Sequence, residues 1–202
     1  MKKSDSLLLI FTRNPELGKV KSRLAAGVGK EKALKIYEFL LDHTHKVTSP
    51  LNVDKQVWYS EEVWEDDIWS NGNFTKHLQK KNDLGERMQY AFEQGFEKGY
   101  KHIAIIGSDL YDITSEEIGD AMEKLKSNDV VIGPATDGGF YLLGLSVKDY
   151  KVFSKKEWGT PTVFKDCLES LKKYKPVQLS PKNDVDYLSD IEHIEVFKQF
   201  LK

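Results

Sequence analysis

The sequence predicts an α/β fold, a mostly parallel twisted sheet with helices on both faces, on three observations. Short continuous apolar runs at 7–11, 103–106 and 130–132 stop at loops bearing Gly, Pro or Asp, the pattern of strands buried on both faces. Between them lie segments with apolar residues at helical spacing, such as Ala33, Ile36, Tyr37, Leu40 and Leu41. Charged and glycine-rich stretches follow the apolar runs directly, and open α/β sheets bind ligands outside the carboxyl ends of their strands.

The 202 residues suit one domain, 1–202, with enough chain to bury a substantial core. With 40% hydrophobic and 31% charged residues the composition is that of a soluble protein, and a net charge of −2 supplies no global field for nucleic acid or an anionic membrane. Any anion binding is therefore local. The first apolar run is too short for a membrane span or a signal-peptide core, so a cytoplasmic location is expected. Cys167 is the single cysteine; among Val163, Phe164, Leu168 and Leu171 it reads as a buried structural thiol rather than a nucleophile.

Ser6–Thr12 is the expected first strand. The loop after it, from Arg13 to Leu24, carries Gly18 and the cations Arg13, Lys19, Lys21 and Arg23. Turn amides with Lys and Arg can neutralise phosphate oxygens, although the glycine spacings are those of neither a Walker loop nor a dinucleotide fingerprint. A solvated basic loop is the alternative. Lys30–Lys46 reads as a helix, with His43 and His45 at its end as polar groups favoured by the helix dipole rather than metal ligands. Gln56–Ser60 is the second strand, followed by an acidic connection, Glu61–Asn73, whose Trp64 and Trp69 pack against the sheet. A short strand spans Phe74–Leu78. Asp83 caps the next helix with Glu86 as capping partner, which leaves Arg87 near a helix start and in want of a carboxylate or phosphate.

His102–Gly107 is a further buried strand. It ends in Ser108–Asp109, and a carboxylate just past a strand end suits a hard divalent cation, so Asp109 is the first choice of metal ligand. Thr114 and Glu117 form a capping box for a helix over Ser115–Ser127. Val130–Leu145 reads as strand, loop, strand, with Asp137, Gly138 and Gly139 at its centre either as an active-site loop or as an ordinary hairpin turn. A helix through Val163–Leu171, a strand at Val177–Leu179 and a terminal helix running to Lys202 complete the chain. In Asp184-Val185-Asp186 an extended backbone would let both carboxylates share a cation; capping of the last helix by Asp186 or Ser189 is the alternative.

Four motifs now stand in order: Pro15-x-x-Gly18-x-Val20-Lys21-Ser22-Arg23-Leu24, Asp83-Leu84-Gly85-Glu86-Arg87-Met88, Gly107-Ser108-Asp109, and Gly133-Pro134-x-x-Asp137-Gly138-Gly139-Phe140-Tyr141-Leu142-Leu143-Gly144. Together they resemble a bacterial family of GT-A-like transferases labelled radical-SAM/selenodomain-associated transferase or arsenosugar-biosynthesis glycosyltransferase. More distantly the chain is similar to 2-phospholactate and molybdenum-cofactor guanylyltransferases. The resemblance implies the nucleotide-diphospho-sugar transferase fold and a nucleotide bound over the first loop, with phosphates near Lys19, Lys21 and Arg23. It implies Mg²⁺ or Mn²⁺ held by Asp109, with Asp186 as a second contact. Two positions depart from the family pattern: Tyr111 stands where Pro is expected, and Gly107 stands where an Asp-x-Asp signature would have its first Asp.

The expected activity is metal-dependent, nucleotide-using transfer, with glycosyl transfer from a nucleotide sugar to a small-molecule acceptor as the main reading. Nucleotidyl transfer with pyrophosphate leaving and an inert nucleotide-binding protein are the alternatives. The candidate catalytic residues are Asp109, Asp137 and Lys21, Asp137 as one wall of the cleft. The candidate nucleotide-binding residues are Arg13, Gly18, Lys19, Lys21, Arg23, Asp83, Gly85, Arg87, Gly138 and Gly139, and the candidate metal ligands Asp109 and Asp186. No nucleic acid and no membrane span is expected, and a homo-oligomer is left open.

Overall fold

The structure, a computed structural model, describes residues 4–70 and 73–202. Seven strands, β1 (Ser6–Thr12), β2 (Asp54–Tyr59), β3 (Phe74–Leu78), β4 (His102–Ile106), β5 (Val130–Pro134), β6 (Phe140–Leu145) and β7 (Val177–Gln178), form one sheet in the order β3-β2-β1-β4-β6-β5-β7. The helices are α1 (Ser22–Val28), α2 (Lys30–Thr48), α3 (Leu84–Glu97), α4 (Ser115–Leu125), α5 (Val163–Leu171) and α6 (Lys198–Leu201).

The apolar sequence of β1 explains its central place. Leu8 and Ile10 pack on one face with Tyr37 and Leu41 of α2 and Ile118 and Met122 of α4, while Leu7 and Leu9 pack on the other with Met88, Phe92 and Phe96 of α3. All four β1 side chains are fully excluded from solvent, each burial contributing roughly 1.5–3 kcal/mol. Only a strand with neighbours on both sides and helices on both faces can bury every side chain, and β1 pairs in parallel with β2 and β4. The outer strand β3 holds no fully buried residue, only half-buried and exposed ones, as suits an edge.

The strands β1, β2, β3 and β4 run parallel, but β6 is antiparallel to both β4 and β5. The Val130–Leu145 stretch is therefore a hairpin whose tip lies at the edge where β1 and β4 end. β7 runs parallel to β5, and an isolated bridge from Ala135 to Lys182 carries the chain onward to the same edge. Val185 N–H then donates to the Asp109 carbonyl at 3.3 Å, docking the 182–186 segment on the end of β4.

Two segments differ from expectation. The last three residues of the loop after β1, Ser22–Leu24, begin a helix that runs on to Val28: Leu24 of α1 is buried against Ala33 and Ile36 of α2, and Gly29, with φ 87°, separates the two helices. The terminal helix to Lys202 is not formed as one element. Short 3₁₀ turns at Leu188–Asp190 and Glu195–Phe197 precede α6, because Ile194 takes extended backbone angles (ψ 119°) that break the hydrogen-bond ladder while Ile191 and Phe197 on either side are inserted against α2. The first of these turns is capped neither by Asp186 nor by Ser189: Asp190 accepts the N–H groups of Asp186 (2.9 Å) and Tyr187 (2.6 Å). In the Glu61–Asn73 connection, Trp69 is buried beside Phe74 and His45 as a packing residue; residues 71 and 72 lie outside the described residues. Among the described residues no helix is long and apolar enough to cross a membrane.

Candidate functional site

Lys21 is the meeting point of the strand ends. Its backbone is left-handed (φ 48°, ψ 48°) at the start of α1, and this turns the side chain inward, where it is only 5% exposed. Nζ donates to Asp109 Oδ2 at 2.8 Å and to Asp186 Oδ1 at 3.0 Å, and Arg23 Nη1 donates to Asp186 Oδ2 at 3.1 Å. Burial acts to lower the Lys21 pKa, but the two carboxylates outweigh it and hold the ammonium well above its ordinary value. Burial likewise pushes Asp109 up, and the Lys21 charge and hydrogen bond overcome this, keeping the carboxyl below its usual range. An ion pair so held is costly to break from one side only.

Around this pair opens a basic pocket of about 560 Å³, lined by Arg13, Lys19, Lys21, Arg23 and Arg87 and floored by Thr12 and Ser108. Its floor is locked by hydroxyls. The buried Tyr37 Oη accepts the Arg13 N–H at 2.9 Å and lies 3.1 Å from Ser108 Oγ and 3.3 Å from Thr12 Oγ1, joining the ends of β1 and β4 through α2. Gln79 Nε2 donates to the carbonyls of Trp58 (2.8 Å) and Thr12 (3.2 Å), fixing the pocket's outer wall. Neither Tyr37 nor Gln79 stands out in sequence: one is an apolar-face helix residue, the other a polar residue after an edge strand.

A second pocket of about 230 Å³ adjoins the first, sharing Phe11, Leu84 and Gly107 with it. Its walls are apolar and aromatic, from Phe11, Met88, Phe140 and Trp158, and its polar groups include Asp137 and Asp184. Burial raises the Asp184 pKa first, and the charges of Asp109, Asp137 and Asp186 add to it, to about 8. The carboxylates thus gather at the junction of the two pockets and exceed the cations that pair with them. Asp137 sits at the exposed hairpin tip, its Oδ1 accepting the Gly139 N–H at 2.8 Å. Gly138 (φ 91°) lets the tip press on the next segment: a Cβ there would lie 2.2 Å from the Pro161 carbonyl oxygen, and the Gly138 carbonyl accepts the Phe164 N–H. The hairpin turn and the pocket wall are the same feature.

The other candidate residues divide. Gly18 (φ 76°) makes the turn before Lys19, whose Nζ pairs with Glu16 at 2.8 Å. Asp83 caps α3 through the Glu86 N–H, while Gly85 packs under Trp158, where a Cβ would meet Nε1 at 2.4 Å; neither lines these two pockets. Arg87 lines the basic pocket, but its partners are the carbonyls of Lys81 (3.1 Å) and Asn82 (3.4 Å) rather than a carboxylate. His43 contacts the Ile113 carbonyl and His45 lies against Trp69 and Phe74. Cys167 is fully buried and burial pushes its thiol up to about 11, which fits a structural residue. Among the described residues no three His, Cys, Asp or Glu side chains are gathered as a ready cation site; Asp109 and Asp186 flank Lys21 Nζ instead.

Residues 43–160 match the model of a family described as an uncharacterized protein conserved in bacteria, DUF2064. The chain belongs to this family. No curated protein sequence matches it. Among solved structures, this DUF2064 chain is similar to a candidate nucleotide-diphospho-sugar transferase from Desulfovibrio desulfuricans G20, at 32% identity and a TM-score of 0.85 over 92% of this chain and 84% of that one. A cytidylyltransferase from Leptospira borgpetersenii superposes at 16% identity and a TM-score of 0.56, over 91% and 79% of the two chains. A manganese complex of Rv0371c from Mycobacterium tuberculosis H37Rv superposes at 10% identity and 0.54, over 99% of each chain. The fold is therefore that of the nucleotide-diphospho-sugar transferases.

Both departures have a defined local setting. A Cβ at Gly107 would lie 2.8 Å from Asp109 Oδ1, so a side chain there would require the Asp109 carboxylate to shift. Tyr111, in place of Pro, packs in a ring cluster with Phe39, His43 and Phe197 at centroid distances of 5.8, 4.9 and 5.1 Å.

Proposed function

We propose that this DUF2064 chain is, over its whole length, a nucleotide-using transferase that moves a sugar from a nucleotide-sugar donor to a small-molecule acceptor. The observation that carries this reading is the division of charge along one cleft. The cationic end, with Arg13, Lys19, Lys21, Arg23 and Arg87, complements a diphosphate. The aromatic end, with Asp137 and Asp184, complements a neutral polyhydroxylated ring, whose hydroxyls pair with the Asp137 carboxylate and the Asp184 carboxyl and whose C–H face lies on Phe140 or Trp158. A sugar phosphate, the acceptor a nucleotidyltransferase needs, would bring its negative charge to an end whose lining offers these two acids and no Lys or Arg. The similarity to the Desulfovibrio protein and the motif resemblance to glycosyltransferases support the same reading.

In the reaction, an acceptor hydroxyl oxygen bonds to the anomeric carbon while the bond from that carbon to the diphosphate breaks. The electron pair leaves with the nucleoside diphosphate, and the hydroxyl proton passes to the Asp137 carboxylate. Arg13, Arg23 and Lys21 stabilise the charge that develops on the leaving group; Tyr37 fixes the backbone of Arg13, and Asp109 and Asp186 hold Lys21 and Arg23 at the pocket. The all-oxygen donors Asp109 and Asp186 fit Mg²⁺ or Mn²⁺, which when bound supplies further charge stabilisation at the diphosphate.

Incubation of the protein with Mn²⁺ and either a panel of nucleotide sugars or the nucleoside triphosphates tests this. Release of nucleoside diphosphate from one nucleotide sugar is expected. Pyrophosphate release from triphosphates alone would replace glycosyl by nucleotidyl transfer.

A further inference from the structure

Lys21 is held in a place and a conformation that its charge alone does not explain. A left-handed backbone at a residue bearing a Cβ costs roughly 1–2 kcal/mol and persists where the surroundings enforce it. Here the enforcement is the pair of carboxylates at 2.8 and 3.0 Å, from the end of β4 and from the 182–186 segment. The backbones that carry those carboxylates are anchored independently of Lys21: the Asp109 carbonyl is docked by the Val185 N–H, and the Asp186 N–H is held by Asp190 Oδ2.

We propose that the Lys21 ammonium is an internal stand-in for the divalent cation: it bridges Asp109 and Asp186 in the free protein and is exchanged for a nucleotide-bound cation, upon which Nζ swings to the phosphates. The inference rests on the transferase reading and adds an order to it. An ammonium and a divalent cation cannot share the two oxygens, so the cation alone must displace Lys21 against the pull of both carboxylates. Lys21 leaves readily only when the basic pocket it also lines has received anionic phosphate for it to pair with. Departure of Lys21 without a replacement would take from Asp109 its ion-pair partner and leave Asp186 only Arg23. The site therefore resists metal alone, yielding to it only near saturation, and opens readily to the nucleotide–metal complex.

The first test is Mn²⁺ binding to the full-length, nucleotide-free protein, followed by electron paramagnetic resonance. Lys21→Met is expected to bind Mn²⁺ about tenfold more tightly than wild type, since it removes the competing cation and leaves its charge deficit; Lys21→Arg should not. Equal or weaker binding by Lys21→Met overturns the exchange while leaving the transferase reading in place. Absence of Mn²⁺ binding in every form, with or without inorganic pyrophosphate, overturns both. The second test uses the unaltered protein. Acetic anhydride labelling of Lys21, read by peptide mass spectrometry, is expected to be low in the free protein, to rise several-fold at saturating Mn²⁺, and to fall again when pyrophosphate joins Mn²⁺. Labelling that ignores Mn²⁺ overturns the exchange.

Discussion

Gly138→Ala tests whether the hairpin tip is a built wall of the cleft. Two costs are separable. The backbone sits at φ 91°, where an L residue is strained by roughly 1–2 kcal/mol. The new Cβ would stand 2.2 Å from the Pro161 oxygen and 2.5 Å from its Cα, and relieving such overpacking against backbone costs typically about 1–3 kcal/mol. Gly159→Ala supplies the reference, because Gly159 has φ 83° but no atom within 4 Å of its added Cβ. Urea denaturation should give a loss of about 3 kcal/mol for Gly138→Ala and about 1 kcal/mol for Gly159→Ala. For a chain of this length the former corresponds to a Tm lower by about 6–12 °C. The tip must also lift from the 160–164 segment, so Asp137 moves and the donor KM should rise. Equal losses for the two variants would refute the contact, and with it the placement of Asp137 in the pocket wall.

Two further outcomes follow from the site's electrostatics and its floor. Asp184, raised to about 8 in the folded chain, is an acid whose ionisation opposes folding. Its contribution is intact below the unfolded carboxylate value near 4 and is lost as pH rises towards 8, at up to ~1.4 kcal/mol per pH unit. Wild type should therefore lose about 2 kcal/mol relative to Asp184→Asn between pH 5 and 8, solvent at the pocket mouth screening part of the full effect. His43, His77 and His102, all lowered chiefly by burial, act in the opposite sense below their ordinary range, but they are common to both proteins and cancel in the difference. Parallel urea-denaturation curves against pH for the two proteins would show that Asp184 is not so confined. Tyr37→Phe removes the acceptor of the Arg13 N–H and is expected to cost about 1–3 kcal/mol by leaving a polar group unpaired. It should also weaken Mn²⁺–nucleotide binding measured by calorimetry; an unchanged affinity would mean that the floor does not position the cations.

The parts of the fold governed by local pattern were legible from residues alone. β1 and β4 announce themselves as unbroken apolar runs, and the Thr114–Glu117 box that starts α4 is formed as its spacing implies. What pattern could not reveal depends on distant pairing. That β6 runs antiparallel beside β4 is a property of the sheet, yet it decides that the start of β6, and so Asp137, lies with the cations of the first loop. The helix α1 was hidden because its stabilisation comes from one buried residue, Leu24, packed on α2 and the C-terminal turns, rather than from a repeated apolar face. The break at Ile194 was hidden likewise, since Ile191, Ile194 and Phe197 keep nearly helical spacing while the sockets they fill do not. Lys21 and Asp109 were visible as site residues, but their direct pairing was not, because an ion pair between residues so distant in sequence has no sequence signature.

The incomplete Asp-x-Asp pattern gains a physical sense from that pairing. In a two-acid loop both carboxylates come from one strand end, and their separation is set by the turn between them. Here position 107 is glycine, with Asp109 Oδ1 lying 2.8 Å from where its Cβ would be, and the second carboxylate arrives from the opposite end of the chain. Asp186 reaches Lys21 because the Ala135–Lys182 bridge extends the β5–β7 pairing and the Val185 N–H finds the Asp109 carbonyl. A site assembled in this way can change the spacing of its two acids by shifting the 182–186 segment, without disturbing β4. The same arrangement makes the segment's own supports, Asp190 above all, determinants of how firmly the Lys21 ammonium is held.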